Sequence, residues 1–200
     1  MKSLIVLALA LLTMALRPDG GYNVGDVVSD FKLKNVDGKM IALSDYKTAK
    51  GIILIFDCNT CPMSKAYNSR IIDLNKKFAS QGFPVVLINP NSAEVVKQES
   101  FAEMVKTAKD HNYDFPYLYD ESQETVKKFN PTNTPHVFVL SKSNNQFKVE
   151  YIGAIDNNSR DGANADKHFV EEAVNDLLAG RSVATPKTKA IGCSIKWKNS

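Results

Sequence analysis

Apolar and polar positions along the chain follow two periods, one typical of strands and one typical of helices. Continuous apolar runs, as in strands that are buried on both faces of a sheet, occupy residues 51–56, 84–88 and 136–140. Apolar residues spaced three or four positions apart, as on one face of an amphipathic helix, occur in residues 62–79, 92–112, 121–129 and 167–178. Because helices alternate with strands, the pattern predicts an α/β fold in which helices connect parallel strands.

Shorter alternating segments extend the predicted sheet at both ends. Residues 30–43 hold two alternating runs around an Asp-Gly turn signal, which predicts an N-terminal β-hairpin. Residues 115–119 are a short extended segment, and residues 147–155 alternate as an edge strand does. The predicted fold is therefore a central mixed β-sheet flanked by helices, with an N-terminal β-hairpin extension.

The first residues differ from the rest of the chain. Lys2 precedes a continuous apolar run at residues 4–12, and small residues follow at Thr13 and Ala15. That order predicts a secretory signal peptide at residues 1–15, and the apolar run is short for a membrane span. We expect an exported protein, in the periplasm or outside the cell, which would stay tethered to the membrane if the signal were not cleaved.

Composition and charge narrow the function. The 200 residues are 44% hydrophobic and 24% charged, which suits one globular domain; we expect it at residues 22–181, followed by a polar tail at residues 182–200. The net charge of +3 includes no block of like charges, so no nucleic-acid partner is expected, nor any membrane contact beyond the signal segment. Three cysteines are an odd number for a protein stabilised by disulfides, which favours working thiols over structural ones.

Two of these cysteines lie in the segment DCNTCPMS, directly after the first apolar run. Proline favours the first turn of a helix, so Pro62 places Cys61 at a helix start. Backbone N–H groups and the helix dipole stabilise a thiolate there and lower its pKa. The sequence thus predicts that Cys61 attacks and Cys58 resolves, through mixed disulfides with a substrate. The opposite assignment, in which Cys58 attacks, stays open.

Several segments carry a family resemblance, namely GD…DFKLKNVDGKMIALSDY, CNTCP, FPYLYDESQE, TPHVFVL and IGCSIKWK. The sequence resembles the redoxin family, which includes the alkyl hydroperoxide reductase and thiol-specific antioxidant proteins, and is similar to a peroxiredoxin-like branch of thioredoxin-family proteins. The resemblance covers nearly all of residues 25–198. It implies a thioredoxin-like fold and thiol-disulfide oxidoreductase activity on protein thiols or disulfides. It also implies a thiol protein as electron donor or acceptor, and no organic cofactor.

The resemblance also implies roles for individual residues. The family's attacking cysteine falls on Cys61, and Thr134-Pro135 corresponds to a cis peptide beside the disulfide, where the backbone pairs with the substrate strand. The buried carboxylate that thioredoxins use for proton transfer is replaced by Ile55. Asp57 is the nearest substitute, although an Asp in such a loop is more often a turn or cap residue.

Peroxidase activity is a weaker alternative. In the peroxiredoxin pattern P-x-x-x-[TS]-x-x-C, the hydroxyl position is taken by Cys58 and the Pro position by Leu54. A peroxide needs those donors beside the thiolate, so efficient thiol peroxidase activity is not expected.

The remaining candidates each allow two interpretations. Cys193 is either a tail residue packed beside Trp197 or a third redox thiol that resolves a disulfide at Cys61 or pairs with a partner. His136 is either near the thiols or a polar residue at the sheet end.

A metal site is the main rival to redox exchange. Cys58, Cys61, His136 and Met63 could bind Cu(I), which accepts thiolate, imidazole and thioether ligands. The cysteine spacing is one residue shorter than in copper-delivery proteins of this fold, so redox exchange is favoured and no metal is expected. A purely structural Cys58–Cys61 disulfide would close too small a loop to gain much entropy.

Overall fold

The computed structural model describes residues 20–198, and the predicted signal peptide lies outside them. Within that range, eight strands form one sheet. The strands are β1 (Val27–Val28), β2 (Lys32–Asn35), β3 (Met40–Ala42), β4 (Gly51–Phe56), β5 (Val85–Asn89), β6 (Tyr117–Tyr119), β7 (His136–Ser143) and β8 (Gln146–Gly153). The α-helices are α1 (Pro62–Phe78), α2 (Phe101–Asp110), α3 (Glu124–Phe129) and α4 (Phe169–Leu178). In residues 20–198, no helix has the length and apolar character needed to cross a membrane.

The sheet is mixed, as predicted, with the strand order β1-β8-β7-β4-β5-β6-β2-β3. Strands β4, β5 and β6 run parallel, whereas β7 lies antiparallel to β4. In this register Phe56, the last residue of β4, lies opposite His136, the first residue of β7. The CxxC segment that follows β4 therefore emerges beside the Thr134-Pro135 peptide that precedes β7.

Strand β4 is buried on both faces, which explains its unbroken apolar sequence. Ile53 and Ile55 belong to one hydrophobic cluster, together with apolar residues of α1, α2 and α4. Ile52, Leu54 and Phe56 belong to a second cluster, with apolar residues of α3 and of the N-terminal segment. Burying side chains of this size contributes roughly 1.5–3 kcal/mol each, so β4 is a rigid support for the loop that follows it.

Two predicted elements differ in the structure. The helix predicted from residue 92 begins only at Phe101, because the Ser100 side chain caps it by accepting a hydrogen bond from the Glu103 N–H at 3.4 Å. Residues 92–100 instead form a loop that contains a 3-10 turn at Lys97–Glu99. Strand β8 is not an edge strand, because the two-residue strand β1 pairs with its first half.

Candidate active site

The first turn of α1 places Cys61 where the sequence predicts it. Cys61 is the N-cap residue and Pro62 is the first helical residue. The carbonyl of Cys61 accepts the first intrahelical bond, from the Lys65 N–H at 3.0 Å. The side chain at this position thus lies at the positive end of a 17-residue helix, an environment that stabilises a thiolate once the sulfur is reduced.

The disulfide in the structure joins Cys61 to Cys193 and leaves Cys58 as a free, buried thiol. This pairing differs from the predicted Cys58–Cys61 disulfide. Its cause lies in the tail, because the backbone of Cys193 pairs with that of Thr134 and brings the Cys61 and Cys193 Cα atoms to 6.0 Å. That distance is ordinary for a disulfide. The structure therefore agrees with the second interpretation of Cys193, in which its thiol pairs with Cys61.

Cys58 occupies a buried polar environment. Its Sγ lies 3.1 Å from the Thr134 hydroxyl and 3.5 Å from the Ser64 hydroxyl. Burial and, after it, the negative charges of Asp57 and Glu99 raise the pKa of the Cys58 thiol to about 11, although the two hydroxyls act to lower it. Cys58 is therefore protonated at neutral pH in this state and is a poor nucleophile.

Asp57 lies in the interior rather than in an exposed turn. Its side chain is 2% exposed, and its Oδ1 atom has no hydrogen-bond partner. Burial raises the pKa of Asp57 to about 7, although hydrogen bonds from Ser64 and from the Cys58 N–H favour the ionised form. A carboxyl group with this pKa, next to a thiol that must lose a proton, can accept that proton near neutral pH.

The Thr134-Pro135 peptide is cis, as predicted. Both sulfurs of the CxxC segment contact Thr134, since the Cys61 Sγ lies 3.5 Å from the Thr134 carbonyl oxygen. The backbone N–H and carbonyl of Thr134 in turn bond to Cys193, at 2.9 and 3.0 Å. Thr134 is thus the residue at which the two cysteines and the tail meet.

Glu99 is a site residue that the sequence-based prediction missed. Its carboxylate is fully buried and accepts bonds from the N–H groups of Asn59 and Thr60 at 3.0 and 3.1 Å, and from the Thr60 hydroxyl and the Asn89 amide. The two residues between the cysteines are therefore fixed by one carboxylate. The N-cap at Ser100 leaves Glu99 outside α2, but no periodic signal in the sequence marks Glu99 as buried.

The His136 side chain contacts residues at the end of the sheet rather than the thiols. Its Nδ1 accepts the Thr132 N–H at 3.0 Å, and its ring stacks on Phe138. Burial lowers the pKa of His136 to about 4, so the ring is neutral at physiological pH.

The candidate Cu(I) ligands do not form a cluster among the described residues. Across residues 20–198, no group of three or more His, Cys, Asp or Glu side chains could hold a metal ion. With Cys61 bonded to Cys193, the copper alternative also lacks one of its two thiolates in this state.

The chain matches a known protein family. A family model described as the AhpC/TSA family matches residues 24–149, more than half of the chain. The chain belongs to the AhpC/TSA family. Family membership and the observed fold agree with the predicted redoxin resemblance.

The chain is also similar to individual proteins. The chain is 25% identical over 125 residues to thiol-disulfide oxidoreductase ResA of Bacillus subtilis (strain 168), a match that spans 62% of this chain but only 65% of ResA. It is similar to the crystal structure of an uncharacterized conserved protein from Geobacillus kaustophilus, with a TM-score of 0.82 and 34% identity over 89% of this chain and 94% of that one. Peroxidoxin BcpB from Mycobacterium tuberculosis shares the fold, with a TM-score of 0.60 and 21% identity over 80% of this chain and 98% of that one. The fold is thioredoxin-like.

The site of this chain departs from the peroxiredoxin pattern at two positions. Cys58 lies where the peroxiredoxin pattern has a hydroxyl residue, and Leu54 is an apolar residue of the central strand where that pattern has Pro. Of the residues singled out from the sequence, the fold brings together Cys58, Cys61, Cys193, Asp57 and Thr134-Pro135. Among the described contacts, none joins His136 or Met63 to a sulfur atom.

Proposed function

We propose that this AhpC/TSA protein is an exported thiol-disulfide oxidoreductase that exchanges disulfides with protein substrates, with Cys61 as the attacking thiol and Cys58 as the resolving thiol. One observation carries the proposal. Cys61 lies at the N-cap of α1 beside a cis proline, and its sulfur is bonded to the cysteine of an extended segment that pairs with Thr134. A substrate segment that paired with Thr134 in the same way would bring its own cysteine to Cys61, and disulfide exchange proceeds through such a mixed disulfide.

The proposed reaction has two exchange steps. The Cys61 thiolate attacks one sulfur of a substrate disulfide, which forms a mixed disulfide and releases the other substrate sulfur as a thiolate. Cys58 then transfers its proton to the Asp57 carboxylate and attacks the Cys61 sulfur. One substrate sulfur takes the proton back from Asp57 and the other takes a proton from solvent, so the substrate leaves as a dithiol. The protein keeps a Cys58–Cys61 disulfide, which a thiol protein reduces. Run backwards, the same steps oxidise a substrate dithiol.

The unequal environments of the two sulfurs support these roles. Cys61 has the helix N-terminus, whereas burial and two nearby carboxylates hold the pKa of Cys58 at about 11. The Cys58 thiol must lose its proton before it can attack. Asp57 can accept that proton near neutral pH, because burial raises the pKa of its carboxyl group to about 7. Export rests on the sequence pattern of residues 1–15, and the name of the relative ResA agrees with thiol-disulfide exchange.

Trapping of the mixed disulfide tests the proposal. Native insulin, whose two chains are joined by disulfides, is mixed with the reduced Cys58→Ser and Cys61→Ser variants, both of which also carry Cys193→Ser. The products are then separated on a non-reducing gel. The variant that keeps Cys61 is expected to accumulate a covalent adduct with an insulin chain, because nothing resolves it. An adduct formed only by the variant that keeps Cys58 would reverse the roles, and the absence of any adduct would refute the proposal.

A further inference from the structure

The C-terminal segment at residues 187–196, called the tail strap here, crosses the site and is attached at both ends. At one end, Lys187 forms a parallel bridge with Ile152, and the Thr188 N–H donates to the Ile152 carbonyl at 3.0 Å. At the other end, the Lys196 carbonyl accepts from the Ser92 N–H at 2.9 Å. Between these attachments the tail strap carries Cys193 to Cys61.

The tail strap uses the backbone edge that an incoming strand would use. Thr134 has both backbone groups bonded to Cys193 in an antiparallel bridge. Addition of an extended segment to an exposed backbone edge is a common way to bind peptides, in which the backbone gives affinity and pockets for side chains give specificity. The chain's own cysteine thus lies where the cysteine of a bound protein segment would have to lie to react with Cys61.

Side-chain requirements can be derived from the tail strap itself. A Cβ atom at Gly192 would overlap the Thr134 carbonyl oxygen, so the residue before the cysteine must be small. Ile195, two residues after the cysteine, is 7% exposed and packs into the second hydrophobic cluster. Ser194 between them is exposed and is not constrained. The groove therefore fits the order small residue, cysteine, any residue, apolar residue.

We propose that the tail strap is an internal substrate: it fills the binding groove for an extended, cysteine-containing segment of a partner protein and must leave before that partner enters. The partner segment is expected to carry a small residue before its cysteine and an apolar residue two positions after it. This inference rests on the proposed function and adds the substrate class that the site selects.

Release of the tail strap needs no external oxidant or reductant. The Cys58 thiol gives its proton to Asp57, and its sulfur attacks the Cys61 sulfur. The Cys58–Cys61 bond forms as the Cys61–Cys193 bond breaks, and Cys193 leaves as a thiolate that takes a proton from solvent. One disulfide is present before and after the step. The predicted CxxC disulfide and the observed Cys61–Cys193 disulfide are thus two states of one cycle, with the groove open in the first and closed in the second.

Activated peptides test the groove directly. The reduced Cys193→Ser protein is mixed with three synthetic peptides whose cysteine carries a thionitrobenzoate group, and release of the coloured anion gives the rate of attack. The first peptide has the sequence of residues 190–197, AIGCSIKW. The second, AIVCSIKW, replaces the small residue, and the third, AIGCSDKW, replaces the apolar one. The first peptide should react at least about tenfold faster than the other two. A factor of ten corresponds to about 1.4 kcal/mol, which is what one clash or one lost apolar contact is expected to cost.

A matched pair of variants tests whether the tail strap competes. Gly192→Val, added to Cys193→Ser, should displace the strap and speed the reaction with AIGCSIKW, whereas Ser194→Val at the exposed neighbour should not. Equal rates for the three peptides, or equal rates for the two variants, would overturn the internal-substrate proposal. Alkylation by iodoacetamide distinguishes failure of the internal-substrate proposal from failure of the proposed function, because this reagent is too small to need the groove. Rapid alkylation of Cys61 with equal peptide rates leaves the proposed function standing, and slow reaction with every reagent refutes both.

Discussion

The Cys58 sulfur lies 3.1 Å from the hydroxyl of Thr134, the residue that precedes the cis proline. One residue therefore contacts the resolving thiol through its side chain and the tail strap through its backbone. The hydroxyl lowers the pKa of Cys58 against the larger effect of burial, so this contact makes the Cys58 thiol easier to ionise.

Replacing Thr134 with Val should make Cys58 less reactive. The isosteric change removes the hydroxyl and its hydrogen bond, so the pKa of Cys58 rises and its thiolate fraction falls. In the Cys61→Ser/Cys193→Ser background, alkylation of Cys58 at fixed alkaline pH should slow by a factor of about three to ten, the value of one hydrogen bond. Thr134→Ser keeps the hydroxyl and should react at the original rate. Equal rates for the Val and Ser variants would show that the contact has no such effect.

Replacing Glu99 with Gln should destabilise the loop between the cysteines. The amide offers one acceptor oxygen to donors that now share a carboxylate, and its NH₂ group would face donors of Asn59, Thr60 or Asn89. Leaving a buried donor unsatisfied costs about 1–3 kcal/mol, so the free energy of unfolding should fall by at least that amount. Denaturant unfolding measures it, with the exposed Glu103→Gln as the control. Similar stability of the two variants would contradict the role assigned to Glu99.

The sequence predicted the fold well where burial determines the pattern. Strand β4 and helix α1 lie within one residue of their predicted bounds, because the apolar run and Pro62 mark them directly. The position of Glu99 could not be predicted from its polar surroundings, since a buried carboxylate with four donors has no periodic signature. Cys61 and Cys193 are 132 positions apart in the sequence, so only the three-dimensional path of the tail decides their pairing.

Replacing Asp57 with Asn should change how stability depends on pH. Burial raises the pKa of Asp57 to about 7 from 3.8, so between these values the folded state keeps a proton that the unfolded state has lost. Stability from this group is thus present at low pH and is lost as the pH rises toward 7, by on the order of 4 kcal/mol in total. Relative to the wild type, Asp57→Asn should gain stability as the pH rises from 4 to about 8 in denaturant titrations. The control variant Asp73→Asn, at an exposed position, should show no such gain. If Asp57→Asn also showed no gain in stability, the raised pKa of Asp57 would be refuted.

His136 should produce the opposite slope over much of the same range. Its pKa is lowered to about 4 from 6.5, so the unfolded state takes up a proton first as the pH falls. Stability is lost between pH 6.5 and 4, by about 3 kcal/mol. His136→Asn keeps an acceptor for the Thr132 N–H and should lose less stability on acidification than the exposed control His168→Asn. If both variants followed the wild-type curve, the buried neutral state of His136 would be refuted.

The pH dependence of alkylation by iodoacetamide tests the central claim, that Cys61 is the attacking thiol. Reduced Cys58→Ser and Cys61→Ser variants, both in the Cys193→Ser background, each present one thiol for measurement. We expect half-maximal reactivity of Cys61 below pH ~7.5, as for other cysteines at helix N-termini, and reactivity of Cys58 only at strongly alkaline pH. Reaction of Cys58 at a lower pH than Cys61 would contradict the account.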